Sequence, residues 1–405
     1  MFGPVPAAGT DGTLGAWSRA WQTMTHFTGD PIAELDAVAD DDSFLMGPVV
    51  TLCYRILAGM PADDAGVTAD TARVTARRQR ATGREARHAD AVLALARGEF
   101  LDAATAWHRL ALDASDDFVA IRMAHDVCLH IGDDSIRLPS ALAAVDTFPD
   151  SAREHGLVRG MASFALGEVG RYDEAELHGR ASLVADPDDT WARHALAHVY
   201  ESTGRHEDAL EVLCPGDPRW PAQNLLANHM WWHLAIRRLH NAEPAAAMDL
   251  LDRQLTSTTA FGLADATALL WRVGLDVGGD GRAADPTGHR WLALADAWAT
   301  STARHTCAFL DLHQALAYAA VPDHPAAESF WTGALDSHRE GTTYNDETFR
   351  LAVVPVVVGL RALAGGDRAA AADGLRESLP ALHRIGGSVL QRDIVHRTLA
   401  ALDRA

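Results

Sequence analysis

Two histidine pairs, His194 with His198 and His229 with His233, stand four residues apart, a spacing that can do chemistry if each segment is helical. Residues at i and i+4 share one face of a helix, so each pair aims two imidazoles at one region. An imidazole titrates near working pH and serves as general base, or as a neutral nitrogen ligand to a metal. Glu201 follows His198 by three residues, on the same helical face, and Asp311 and His313 form a further acid–imidazole group. Carboxylates such as Glu201, Asp311 and Asp126 orient imidazoles, while Arg272 and Arg392 can hold a carboxylate bidentately. The HExxH pattern of zinc peptidases is absent, because Ala195, Leu196 and Ala197 separate His194 from His198.

Composition removes several alternatives. The 405 residues carry 35 basic and 55 acidic side chains, a formal net charge of -20, which disfavours phosphate backbones and anionic membrane surfaces. Every basic residue is arginine. Without lysine there is no Schiff base, no pyridoxal-phosphate anchor and no P-loop lysine. No GxGxxG segment suggests a dinucleotide fold. Cys53, Cys128, Cys214 and Cys307 are scattered without a CxxC pair, as expected of reduced thiols in a cytoplasmic protein. The start of the chain is rich in Gly, Pro and Ala and lacks the plan of a signal peptide. The apolar run from Leu351 to Leu363 is broken by Pro355 and Arg361 and is too short to span a bilayer.

The elements that would position the histidines follow from internal repetition. From Thr190, a small residue stands eighth (Ala197), an aromatic eleventh (Tyr200), glycine fifteenth (Gly204) and alanine twentieth (Ala209). Moved back by about 34 residues, the usual period of such repeats, the ruler starts at Gly156 and meets Gly170, Tyr172 and Ala175. Units from Arg84 (Ala91, Gly98, Ala103) and Phe118 (Cys128, Gly132) precede it. A unit from Asn228 follows after the insertion CPGDPRWP, with Ala235 and Ala247 in place, and looser units lie near Ala308 and Ala352. The pattern predicts an all-α solenoid of tetratricopeptide-type helical hairpins, closing into a superhelix with a polar lumen. The expected organisation is a flexible stretch over residues 1–15, an N-terminal helical region over 16–83, regular repeats over 84–260, and divergent repeats with a C-terminal cap over 261–405.

In such a unit, positions 2, 5, 9 and 12 of the first helix lie on the concave side. They are Trp191, His194, His198 and Glu201 in the Thr190 unit. The same face takes His88 in the Arg84 unit, Arg122 and Asp126 in the Phe118 unit, and His229 and His233 with Trp231 and Trp232 between them in the Asn228 unit. Both HxxxH pairs are thus expected on the concave helices of adjacent repeats. A single histidine is more often a packed or solvated side chain than a ligand, and the tryptophans read equally as core filling or as an aromatic wall.

The segments HALAHVYE, GRHEDAL, NHMWWHLA, ADATALLWR, FLDLHQALA and IGGSVLQRDI occur in an order that resembles the family of tetratricopeptide repeat protein 38 and its bacterial relatives. The resemblance runs from about Arg84 to the C-terminus. Some bacterial members are encoded with glycopeptide-antibiotic biosynthesis. Position by position, it implies roles for His194, His198, Glu201, His229, His233, Asp265, Arg272, Asp311, His313, Gln391, Arg392 and Asp393. The chain departs from the family pattern at Gly167–Glu168, where paired glutamates are usual, and at Met46–Gly47, where a histidine is expected.

The preferred functional expectation is an enzyme of bacterial secondary metabolism acting on a small molecule in the lumen. His194, His198, Glu201, His229, His233, Asp311 and His313 would supply acid–base chemistry for hydrolysis, elimination or isomerisation. Trp191, Trp232, Arg272, Gln391, Arg392, Asp393, His88, Arg122 and Asp126 would bind the substrate. No cofactor is required; a metal, if present, would sit on His194, His198, His229 and His233. The alternative is a non-catalytic scaffold whose groove takes a peptide or partner protein. A sensor role ranks last, since no helix-turn-helix with a basic face is evident.

Overall fold

The computed structural model describes residues 8–81, 83–150, 152–213, 226–285, 287–303 and 305–404. The CPGDPRWP insertion with Cys214, and residues 1–7 of the N-terminal stretch, lie outside them. Among the described residues there is no strand, so the all-α expectation holds.

The chain forms two compact units. The first holds α1 (Asp11–Thr25), α2 (Pro31–Asp36), α3 (Met46–Leu57), α4 (Ala65–Arg78), α5 (Gly83–Ala96) and α6 (Phe100–Asp113). It continues with α7 (Phe118–Ile131), α8 (Asp134–Thr147), α9 (Arg153–Glu168), α10 (Tyr172–Ala185), α11 (Thr190–Ser202) and α12 (His206–Leu213). The second holds α13 (Ala227–His240), α14 (Pro244–Gln254), α15 (Ala260–Asp276), α16 (His289–Thr300) and α17 (Ala308–Ala320). It ends with α18 (Ala327–Asp336), α19 (Tyr344–Thr348), α20 (Val354–Ala364), α21 (Arg368–Ser378) and α22 (Val389–Asp403). Two short pieces from earlier in the chain, Ala58–Pro61 and His130–Gly132, belong to the second unit. Thr306 Oγ1 donates to the Gly59 carbonyl at 2.7 Å, and the His130 ring meets Phe261 edge-on at 5.8 Å.

The repeat ruler marks physical contacts. Its glycines Gly98, Gly132, Gly170 and Gly204 all have positive φ, between 62° and 81°, where the chain turns from one helix to the next. That left-handed conformation costs an L side chain about 1 kcal/mol, which is why the slot stays glycine. The small residues Ala91, Ala197 and Ala235, and Ala103, Ala175, Ala209 and Ala247, are all buried. α5 packs on α6, α9 on α10 and α11 on α12 as hairpins, and successive first helices such as α9 and α11 pack on each other. The last helices also keep to the hairpin plan, with α20 packed on α21. No helix is long and apolar enough to cross a membrane among the described residues.

Candidate functional site

In the first unit the site is built on α11. Asp189 caps its start, one carboxylate oxygen accepting the Ala192 N–H at 3.0 Å and the other the Ser182 hydroxyl at 2.7 Å on α10. Burial raises the Asp189 pKa. This double anchor fixes the rotation of α11, and with it the direction of Trp191, His194, His198 and Glu201, all buried. The imidazoles of His194 and His198 meet at a centroid distance of 4.5 Å, nearly perpendicular, with their Nε2 atoms 2.9 Å apart. Glu168, at the end of α9, brings Oε1 to 3.8 Å from His198 Nδ1.

Phe164 of α9 is the hub of this face. Its ring lies 5.1 Å from Trp191, 5.5 Å from His194, 5.3 Å from His198 and 5.9 Å from His125, and the Arg137 guanidinium sits 5.0 Å above it. Arg137 pairs with Asp134 through Nε at 2.9 Å and approaches Glu168 at 4.0 Å. Next to the hub, Trp191 stacks on Phe27 at 5.8 Å, and the Arg122 guanidinium lies 5.3 Å over Phe27 and 5.5 Å over Trp191. Phe27 reaches that position with a left-handed backbone, φ 56°. Arg122 Nε and the Tyr54 hydroxyl both donate to Asp126 at 2.8 Å. Burial works against the Arg122 cation, yet Asp126 and Tyr54 outweigh it and raise the pKa, so the guanidinium stays charged. Burial, then Asp126, pushes the Tyr54 phenol well up, so it remains a donor.

Several buried polar atoms on this face have no hydrogen-bond partner among the described residues: the Trp191 indole N–H, Arg137 Nη1, and both ring nitrogens of His125. Burial, then Arg137 and Arg122, lowers the His125 pKa well below its usual value, so the ring is neutral, with one donor and one acceptor.

In the second unit, α13 carries His229, Trp232 and His233. Asp265 of α15 accepts from His229 Nδ1 at 2.8 Å and from the Asn228 amide at 3.0 Å, which fixes Nδ1 as a donor and turns Nε2 away from the carboxylate. His229 stacks on Trp232 at 5.2 Å and meets His233 edge-on at 4.7 Å. The Arg272 guanidinium lies 5.9 Å over Trp232, donates to the Leu390 carbonyl at 2.7 Å and faces Asp393 at 3.6 Å. Arg397 shares Asp393 at 2.5 Å. His313 points its Nδ1 at the Phe309 carbonyl, 2.7 Å away, and its pKa falls to about 4 through burial, with Arg272 acting in the same direction.

Other expected site residues are engaged elsewhere. His88 is wedged in the core of its hairpin, with Nε2 3.2 Å from Asp117 and Nδ1 accepting the Trp107 indole N–H at 3.0 Å. Asp311 faces His305 at 3.3 Å rather than His313. Gln391 closes a capping box with Ser388 at the start of α22. Arg392 donates back to the Gly387 carbonyl at 2.6 Å. The carboxylates expected to orient bases therefore do other work: Asp126 holds a cation and a phenol, and Asp311 serves a different histidine.

Sequence reasoning missed His125, Phe164, Arg137, Tyr54 and Phe27. Two of them were within reach of the ruler. His125 fills the eighth position of the Phe118 unit, where other units place alanine, and Phe164 fills the ninth position of the Gly156 unit, the slot of Asp126 and His198. Arg137 comes from a second helix, which a reading of first helices does not survey.

The hairpin geometry and the left-handed glycines together define a tetratricopeptide-type repeat protein. No protein-family model matches the chain. Among solved structures, it resembles Cut9 in the APC/C Cut9–Hcn1 hetero-tetramer, with 14% identity, 94% of this chain and 69% of that chain covered, and a TM-score of 0.42. It also resembles a Rap protein in complex with competence and sporulation factor, with 13% identity, 80% and 96% covered, and a TM-score of 0.48. At this identity the likeness is one of fold. The expectation of an enzyme with a small-molecule substrate is corrected on this comparison: these neighbours are seen in a hetero-tetramer with Hcn1 and in complex with competence and sporulation factor.

Proposed function

We propose that this chain is a non-catalytic tetratricopeptide-type scaffold that binds an extended segment of a partner protein on the inner face of its first helices, and that it does so in the cytoplasm of a bacterium. The observation that carries the reading is the group of buried, unpartnered donors around Phe164: the Trp191 indole N–H, Arg137 Nη1 and the N–H of His125. A buried donor left without an acceptor costs about 1–3 kcal/mol, and native proteins keep few of them. An extended peptide presents a carbonyl at every residue, and such acceptors suit neutral indole and imidazole donors as well as the guanidinium. The flat rings of Phe27, Phe164 and Trp191 add apolar walls for side chains. The net charge of -20 favours a partner whose flanking residues are basic, which speeds encounter. The neighbours bound to Hcn1 and to competence and sporulation factor are consistent with this reading.

The test is selection of displayed random peptides on the purified full chain, followed by calorimetry of enriched sequences. Peptides with micromolar Kd, weakened about 5- to 10-fold by Trp191→Phe, are expected, since that change removes one donor and keeps a ring. Enriched peptides whose affinity ignores both Trp191→Phe and His125→Phe would place binding elsewhere and defeat the reading.

A further inference from the structure

We propose that the two HxxxH pairs, His194 with His198 and His229 with His233, are divalent transition-metal ligands, suited to zinc, cobalt or nickel. Neither pair is needed for the peptide reading above.

The geometry of each pair supports this separately. On α11 the two Nε2 atoms converge to 2.9 Å while both rings are buried. Two nitrogens that bind one ion at about 2.0–2.1 Å each stand about 2.9 Å apart at a right angle and about 3.3 Å apart in a tetrahedron, so small ring movements suffice. In the absence of metal, one Nε2 must carry a proton and donate to the other; a divalent ion replaces that proton. Glu168 stands 3.8 Å behind His198 Nδ1, on the side away from the shared point. On α13 the backing carboxylate is closer. Asp265 accepts a hydrogen bond from His229 Nδ1 at 2.8 Å and another from the Asn228 amide at 3.0 Å. A carboxylate behind a histidine fixes the tautomer, turns Nε2 outward as a lone pair and raises its basicity, the arrangement found behind metal-bound histidines.

Each pair lies on the first helix of its unit, His194 and His198 on α11 and His229 and His233 on α13. Nitrogen ligands without thiolate select borderline divalent ions over calcium and magnesium, which take oxygen. Cys53, Cys128 and Cys307 are buried with thiol pKa values pushed up by burial, so they stay protonated and offer no competing thiolate.

The experiment uses the untagged full chain, stripped with chelator and titrated with cobalt(II) and zinc(II). Binding of one equivalent or more is expected, with a visible ligand-field band for cobalt, proton release on zinc addition and a rise in melting temperature. His198→Asn and His233→Asn should each lower the bound metal or its affinity at least tenfold. Asp265→Asn, which leaves all four imidazoles in place, should weaken metal 10- to 100-fold, the usual effect of losing a backing carboxylate. Metal that binds equally well to both histidine variants, or a wild-type chain that shows no cobalt band and no proton release, would overturn the assignment. Should a variant lose its helical circular dichroism, the wild-type cobalt and proton measurements still decide the matter. Peptide affinity measured on the same stripped protein separates this result from the scaffold reading, because the unpartnered donors around Phe164 do not require the ion.

Discussion

Arg122 and Asp126 form a buried ion pair one helical turn apart, Nε to Oδ2 at 2.8 Å, with the guanidinium spread over Phe27 and Trp191 and the carboxylate also holding Tyr54. Neither partner is a spare surface charge, since each is less than a tenth exposed. The pair ties α3, α7 and α11 into one face. Breaking a buried pair by deleting one member leaves an uncompensated charge, at a cost of about 3–5 kcal/mol. Arg122→Met should therefore destabilise the chain by that order in urea unfolding. The double variant Arg122→Met with Asp126→Leu should recover a substantial part of it. A single variant as stable as the wild type would mean that water already reaches Asp126.

The folded state should lose stability on acidification through His313. Its pKa of about 4 in the folded chain lies below the ordinary value of 6.5, chiefly through burial, with the Phe309 carbonyl and Asp265 opposing and Arg272 assisting. Between these two values the unfolded chain binds a proton that the folded chain does not, so stability falls as pH drops from about 6.5 to 4 and levels off below. The contribution is of order 3 kcal/mol at most. His125, also held neutral, acts in the same sense. Urea melts at pH 7, 6, 5 and 4.5 should show the decline, and His313→Gln should flatten it. An unchanged slope in that variant would assign the effect to His125 or other groups.

Gly204 isolates the conformational part of the repeat signature. Its φ is 70°, and a Cβ added there would touch nothing within 4 Å. Gly204→Ala should thus cost about 1 kcal/mol from backbone strain alone. Gly132 is a different case: a Cβ would stand 1.8 Å from the His383 carbonyl oxygen, so the backbone itself must move. Gly132→Ala should be far more damaging than Gly204→Ala. Equal losses in thermal unfolding would contradict the packing at Gly132.

The contrast between these glycines explains how much of the molecule could be read in advance. Local rules were visible: a small residue at the eighth and twentieth places of a unit, and a glycine where φ turns positive. The helical faces were visible too, because a period of 3.6 residues puts Trp191, His194 and His198 side by side. Partner choice was not. That Asp311 would serve His305, that His88 would lie between Asp117 and Trp107, and that Gln391 would spend its side chain on a capping box depend on which second helix or loop arrives opposite. A ruler laid along first helices cannot see Arg137 or Tyr54, which come from other helices. The enzyme expectation failed for a related reason: polar residues on one face state a capacity to bind, and the reaction must come from partners that spacing does not specify.

Trp298 offers the last test, in the second unit. Its indole N–H donates at 3.0 Å to the hydroxyl of Thr267, buried on α15, and both residues are almost fully buried. Thr267→Val keeps the shape and removes the acceptor, which strands a buried donor and should cost about 1–3 kcal/mol. The nearby Trp271 provides the comparison, since its N–H donates at 2.9 Å to Thr398 of α22. Thr398 also donates to the Ile394 carbonyl within its own helix, so Thr398→Val removes two bonds and leaves a carbonyl that α22 already uses. The two variants should lose similar stability in urea. If Thr267→Val were neutral, water would have to reach the Trp298 nitrogen, and hydrogen exchange at that indole would then be fast rather than protected.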